Sequence, residues 1–397
     1  MLVAPAHAAP SFRMPWPVVR VAMVATLVAW ALLATQAVAQ PTHDPYRVTG
    51  VNVDVTAGSV AVARDQAFDQ ARRVGLVRLI GHLAGRNTFV DVAAVPSERL
   101  ETLSVGLSVD REQTGPGRYI ARLDVLFDPQ AVQTFLAEQQ IAFGEVVKRP
   151  VVVLPVWQSS FGPRLWDSPN PWHEAWLDAL PIDGLVPMVV PFGDLQDIAD
   201  VNVALATRGD VGALSAIATR LGAGEVLVAV GRPVGEGVDI ALRAFPVTAG
   251  VVGEGRTVPA SGLLLNDPIA QSEAMVRRGG PGRTNALAGA VGRTAAALEA
   301  EWLDQTLVAA GEGGQITALV RIEQRDDWFT IRNRLHRVAL VDRIEVLSLR
   351  LEEAIIRFDH RGTVDRLATA LAQMDLGLED AVPAPRLVRT DRVVSGL

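Results

Sequence analysis

Two hydrophobic periods alternate along this chain. From Tyr46 to Thr56 (YRVTGVNVDVT) apolar and polar residues alternate singly, the period of a half-buried strand. After Gly58-Ser59 the period lengthens. Ala63, Ala67, Ala71, Val74 and Leu76 to Ile80 recur at steps of three and four, which predicts a long helix whose Arg64, Asp65, Asp69, Arg72 and Arg73 lie on its solvated side. Segments 103–109 and 118–127 return to the strand pattern around the turn Gly115-Pro116-Gly117, and Pro129 opens a helix to about residue 140. Residues 44–147 therefore read as a small α+β domain.

At Val151 the pattern changes again. Val151 to Trp157 is an unbroken apolar run rich in β-branched residues, the mark of a strand covered on both faces. Leu185 to Pro191 and Glu225 to Val230 are of the same kind, with a helix between them that Asp210 caps. Doubly apolar strands alternating with helices predict an α/β domain over 149–265 with a mostly parallel sheet, and Val238 to Val247 as an antiparallel edge. A helical connector over 266–311 follows, Ala-rich from about residue 284. Residues 312–380 then run β-α-β-β-α, a ferredoxin-like plan with its last strand short or missing. The tail 381–397, proline- and arginine-bearing without periodicity, predicts disorder.

The first 39 residues have the three parts of a secretory signal: Arg13 and Arg20 without an acidic residue, the apolar run Val21 to Ala34, and Ala37-Val38-Ala39 as a small-x-small cleavage site. Cleavage between Ala39 and Gln40 and a periplasmic location follow as expectations, with no membrane span in the mature chain. An uncleaved anchor is the competing reading, although the run is shorter than the roughly 20 residues a spanning helix needs. A leader beginning at Met14, just before Pro15, would have a more ordinary length. A formal net charge of −7 without any dense basic block disfavours nucleic acid and anionic lipid as partners. The absence of cysteine excludes disulfides, thiol catalysis and thiolate metal sites.

Candidate chemistry is sparse. His173-Glu174 opens like a zinc-protease helix, but Leu177 stands where the second histidine is required. Gly222-Ala223-Gly224 precedes a strand, the reverse of a dinucleotide fingerprint. Gly279 to Thr284 is a glycine-rich turn into a helix that lacks the lysine of a phosphate-binding loop. No catalytic residue, cofactor or metal is called for. Two features remain. Trp157, Trp166, Trp172 and Trp176 crowd one stretch of a chain with few other aromatics, and Trp166 and Trp157 are the partner-binding candidates, whereas Trp172 and Trp176, one helical turn apart, read as core. Asp194, Asp197 and Asp200, at steps of three after a strand end, are the ligand-binding candidates.

The order YRVTGVNVDVTAGSVAVARDQAF, FDPQAVQTFL leading into RPVVVLPVW, LVPMVVPFGDLQDI and RLGAGEVLVAVGR resembles the exported bacterial family called domain of unknown function 2066, over roughly residues 46–232. These are hydrophobic frameworks, and the resemblance implies an exported envelope protein without assigning any residue a catalytic role. The expected function is a non-enzymatic periplasmic binding or assembly module with an envelope protein partner. The alternative is an α/β hydrolase or small-ligand-binding protein using the aspartate cluster and the tryptophan loop. No feature of the sequence sets an oligomeric state.

Overall fold

The computed structural model describes residues 43–235, 237–259, 283–309, 311–324, 326–382 and 384–391. The expected leader and residues 266–282 of the expected connector, with the glycines of its turn, lie outside these residues. From Pro45 onward the described chain forms one compact unit, a mixed α+β structure with three sheets.

The first sheet follows the strand–helix–strand–strand pattern of the sequence. Strand β1 (Arg47–Thr56) precedes helix α1 (Val60–Ala84) and helix α2 (Ser97–Leu103), then come β2 (Ser104–Gly115), β3 (Arg118–Phe127) and helix α3 (Pro129–Glu138). The order is β1-β3-β2, antiparallel throughout. Ser59 caps α1 by accepting from the Val62 N–H at 3.2 Å. Ala63, Ala67 and Ala71 are fully buried, and their small side chains let α1 lie close on the sheet. At Gly75 the approach is tight: a Cβ would meet Phe127 and Val125 at 3.2 Å.

The second sheet is built around β4 (Val151–Ser159). Beyond it come β5 (Gly162–Arg164), α4 (Pro171–Ala179), β6 (Met188–Val189), α5 (Leu195–Asp200), α6 (Val203–Arg208), α7 (Val211–Arg220), β7 (Glu225–Val234), β8 (Gly237–Thr248), β9 (Val251–Val252) and β10 (Arg256–Val258). The order is β10-β8-β7-β4-β5, with β6 also on β4 and β9 on β8. Only β4 with β7 and β4 with β6 are parallel; β5, β8, β9 and β10 all pair antiparallel. The expectation of a mostly parallel sheet is corrected here. Hairpins as tight as Ser159–Gly162 and Val234–Gly237 force antiparallel neighbours, because a parallel return needs a dozen residues or more. Strand β4 is doubly apolar because both of its faces are buried. Val151, Val153 and Trp157 join one hydrophobic cluster, while Val152, Leu154 and Val156 join another with α7. Strand β8 lies inside the sheet, between β7 and the short β10, and is not an edge.

Within the expected connector lies helix α8 (Arg283–Thr306). Leu287, Val291, Leu298 and Trp302 are buried along it, and it packs on α4 and β8. The third sheet collects β11 (Gly313–Arg321), β12 (Val341–Leu349) and β13 (Glu353–Arg361), with helices α9 (Asp327–Leu335) and α10 (Val364–Ala372), then β14 (Leu376–Glu379) and β15 (Arg386–Arg389). The order is β12-β13-β11-β15-β14. Part of the tail expected to be disordered is therefore a strand: β15 runs parallel to β11 and antiparallel to β14. Its four residues are too few to show periodicity, yet Leu387 is buried between Val320 and Leu378, and Arg389 and Arg334 both bond Asp391. One hydrophobic cluster contains residues of all three sheets. No helix among the described residues is long and apolar enough to cross a membrane.

Polar contacts join the parts. Glu145 accepts from Arg361 at 2.7 Å and from the Tyr46 hydroxyl, whose proton burial and the neighbouring carboxylate hold well above the phenol's usual range. Where α1 meets α8, His82 Nδ1 lies 2.9 Å from both Glu299 oxygens, and Glu299 also accepts from the Leu185 N–H at 3.1 Å. Gly184, at φ 119°, leaves room for this carboxylate, since a Cβ there would collide with Glu299 Oε1. A cavity of about 20 Å³ beside His82, Arg86, Asp183 and Glu299 has room for one water and no substrate. Burial disfavours the charged imidazole, but the Glu299 carboxylate outweighs burial and Arg86, with help from Asp183, so His82 titrates above its ordinary value of 6.5. A folded-state pKa above the unfolded one stabilises the fold most below pH 6.5, and that contribution fades as pH rises through the folded value. In thermal melts, His82→Gln should therefore cost more stability at pH 6 than at pH 9. A cost that grows with pH would contradict the charged pair.

Candidate functional site

The tryptophan stretch begins where β4 leaves the sheet. The turn to β5 needs Gly162 at φ 102°, and Phe161 at its tip is 87% exposed. The chain is then pinned by Asn170, which is buried. Its amide donates to the carbonyls of Pro155 at 3.0 Å and Leu165 at 2.9 Å, while its oxygen accepts from the His173 N–H and caps α4, with Pro171 at the first helical position. On α4, Trp172 and Trp176 are fully buried and meet edge to face at 5.6 Å, and the Trp172 Nε1 donates to Ala229 at 2.9 Å. They are core, as their spacing of four suggested.

The two partner-binding candidates do not come out alike. Trp157 is only 6% exposed and packs with Trp172 over Gly231, so it is a core residue and no surface anchor. An apolar strand buried on both faces takes all its side chains with it. Trp166 is half-buried and fully engaged. Its Nε1 donates to Val201 at 2.7 Å, its ring meets His173 edge to face at 5.9 Å, and Gly193 packs against it, where a Cβ would lie 3.1 Å away. His173 Nε2 lies 2.7 Å from the Pro191 carbonyl. Trp166 and His173 thus hold the segment 191–201 from beneath.

That segment carries the three aspartates, and the structure brings all three into one network. Asp194 is the N-cap of α5, accepting from the N–H groups of Gln196 and Asp197 at 2.9 Å each. Asp197, 3% exposed, returns the bond by accepting from the N–H groups of Asp194 at 3.2 Å and Gly193 at 2.9 Å. Arg220, in the last turn of α7, closes the network. Its Nη2 lies 2.6 Å from Asp197 and its Nε 2.6 Å from Asp200, which also accepts from Gln196 at 3.0 Å. Burial works against the charged form of Asp200, but the hydrogen bonds from Arg220 and Gln196 outweigh it and hold its carboxyl below the usual range; the same two carboxylates make Arg220 harder to deprotonate. The aspartates expected to face a ligand are committed to the protein itself. Among the described residues no group of three His, Asp or Glu side chains is placed to hold a metal ion.

The consequence lies on the opposite side of α5. With Asp197 and Asp200 drawn inward, Phe192, Leu195 and Ile198 point outward, at 81%, 88% and 48% exposure. The helix is turned inside out relative to the usual rule, its charges against the body of the protein and its apolar residues in water. It follows β6, which runs parallel to β4, at the end of the sheet where α/β proteins present ligands. The sequence contained both stripes, apolar at 192, 195 and 198 and acidic at 194, 197 and 200. It did not show which stripe faces in, because the deciding residue, Arg220, stands twenty positions later.

No family model matches the chain, and no curated protein aligns with it significantly.

Removing Arg220 leaves a buried carboxylate without its partner, which costs about 3 to 5 kcal/mol. Arg220→Ala should lower stability on that scale in urea melts. Arg220→Lys should recover only part of it, because a lysine cannot fork between two carboxylates. Equal stability of Arg220→Ala and the native chain would show that the aspartates are not held this way.

Proposed function

We propose that the chain is an exported cell-envelope protein that works as a non-enzymatic binding module, and that Phe192, Leu195 and Ile198 form the core of its partner-binding surface. The outward apolar face of α5 is the observation that carries this reading. A soluble chain gains nothing from holding Phe192 and Leu195 in water, and the Arg220 network is what keeps them there. Apolar and aromatic side chains clustered on a rigid support are the usual energetic centre of a protein–protein interface. The signal-like first 39 residues and the resemblance to the exported family of domain of unknown function 2066 support a periplasmic location and an envelope protein as partner. The ferredoxin-like reading of the third sheet belongs to the same proposal: the β-α-β-β-α order is followed by β14, with β15 inserted between β14 and β11. The hydrolase alternative has no free acid–base pair in the aspartate cluster, because Arg220 holds Asp197 and Asp200 and Asp194 caps a helix.

The test is capture from envelope extract with the tagged chain. Phe192→Ser together with Leu195→Ser should weaken capture of a stoichiometric protein by about 2 kcal/mol or more, the scale of an aromatic or aliphatic anchor at an interface. The melting temperature should stay within the small range of surface substitutions. Trp166→Ala should both destabilise the fold and weaken capture, since it supports the segment from below. Undiminished capture by the double variant would place the binding surface elsewhere.

A further inference from the structure

The connection from α3 to β4 runs through the middle of the molecule, where residues 143–150 bond a succession of neighbours. Phe143 forms an antiparallel bridge with Val308, just past α8, and the Gly144 N–H donates to Leu83 in the last turn of α1 at 2.7 Å. A side chain at 144 has no room, since a Cβ would lie 3.2 Å from Leu303 and from Thr306 Oγ1. Glu145 accepts from Tyr46 and Gln133 on the side of the first sheet and from Arg361 of β13 on the side of the third. The Val146 carbonyl accepts from Trp302 Nε1 at 2.6 Å, and Lys148 meets Leu185 and Glu225. Arg149 turns the other way: its N–H donates to Gln373 at 2.9 Å and its guanidinium to Asp375 at 2.8 Å, just past α10.

The joints between the sheets are unequal. The first two sheets and α8 are tied at several further places, because Asp183 accepts from the Thr49 N–H at 2.7 Å and its hydroxyl at 3.0 Å, and Glu299 takes His82 and the Leu185 N–H. Residues 311–391 are held differently. Among the described residues, the hydrogen bonds and ion pairs that reach from this segment to residues 43–259 all end on Glu145 or Arg149. Apolar contact continues across the joint, where α10 lies on α8 and Val308 against Gly362, so the closed arrangement dominates. Yet the segment also has a core of its own: Val320, Ile356 and Phe358 of the sheet are buried, as are Leu335, Leu367 and Leu371 of α9 and α10. A contiguous segment with its own core and few joints is the kind of unit that opens by itself in a native protein. We propose that residues 311–391 form a separately opening unit of the fold, and that Glu145 and Arg149 are the two latches that keep it shut. Opening parts Arg361 from Glu145 and Asp375 from Arg149 and leaves the bonds between the first two sheets intact.

Native-state hydrogen exchange at a series of low urea concentrations tests this on the intact chain. The amides of β11 and β13 should exchange through an opening of lower free energy and smaller urea dependence than those of β4 and β7, since less surface is exposed. Ile217→Val, in the cluster shared by α7 and β4, should speed exchange of the β4 and β7 amides by about two- to tenfold and leave β13 unchanged, because the opening breaks no contact of Ile217. Arg361→Met strands the buried Glu145 carboxylate and should speed β13 exchange roughly tenfold or more. Equal free energy and urea dependence for β4 and β13 in the unaltered chain overturns the proposal, as does an Ile217→Val effect of the same size in both sheets. Unchanged β13 exchange in Arg361→Met overturns the latch at Glu145.

Discussion

A single guanidinium sets the orientation of the segment on which the functional reading rests. Arg220 reaches from the end of α7 to two carboxylates one turn apart on α5, at 2.6 Å each, and neither Asp197 nor Asp200 can turn to solvent without leaving a charge unmatched. Burying carboxylates is costly, so the network persists only because every oxygen of Asp197 is met, by Arg220 on one side and by the N–H groups of Gly193 and Asp194 on the other. The apolar residues of α5 are thereby fixed outward. In a six-residue helix the hydrophobic effect from two or three side chains amounts to a few kcal/mol, which a forked, largely buried ion pair can outweigh.

The network has a firm base to act from because β4 is buried on both faces. Val151, Val153 and Trp157 belong to the cluster that runs through all three sheets, and Val152, Leu154 and Val156 to the cluster beneath α7. Trp157, Trp172 and Trp176 are consumed in this packing, which leaves Trp166 at the boundary, bonded to Val201 and edge to face with His173. The aromatic wealth of the stretch is thus a scaffold, and the surface it supports is made of phenylalanine, leucine and isoleucine.

What was legible in the sequence follows from period and length. The helix Val60–Ala84, the two-sided strands β4 and β7 and the β-α-β-β-α run near the end all carry long or strongly patterned signals. Sheet orientation was not legible, because a doubly apolar strand reports that both faces are covered without reporting the direction of its neighbours. Strand β15 was missed since four residues beside prolines and arginines show no period, and its burial depends on partners some seventy residues earlier, on β11. At the site, the aspartates were legible as a cluster and read as available to a ligand, while Phe192, Leu195 and Ile198 between them gave no signal of their own. Only the distant Arg220 decides which stripe faces in.

The outward orientation of α5 is tested most directly by thiol labelling, since any introduced cysteine is alone in the chain. Leu195→Cys should react with a maleimide in the native state at a rate close to that of the unfolded chain, while Leu214→Cys, at a fully buried position of α7, should react only on unfolding. Protection of the thiol at position 195 in the isolated native protein, comparable to that at 214, would mean that α5 buries its apolar face after all and would contradict the binding surface built on it.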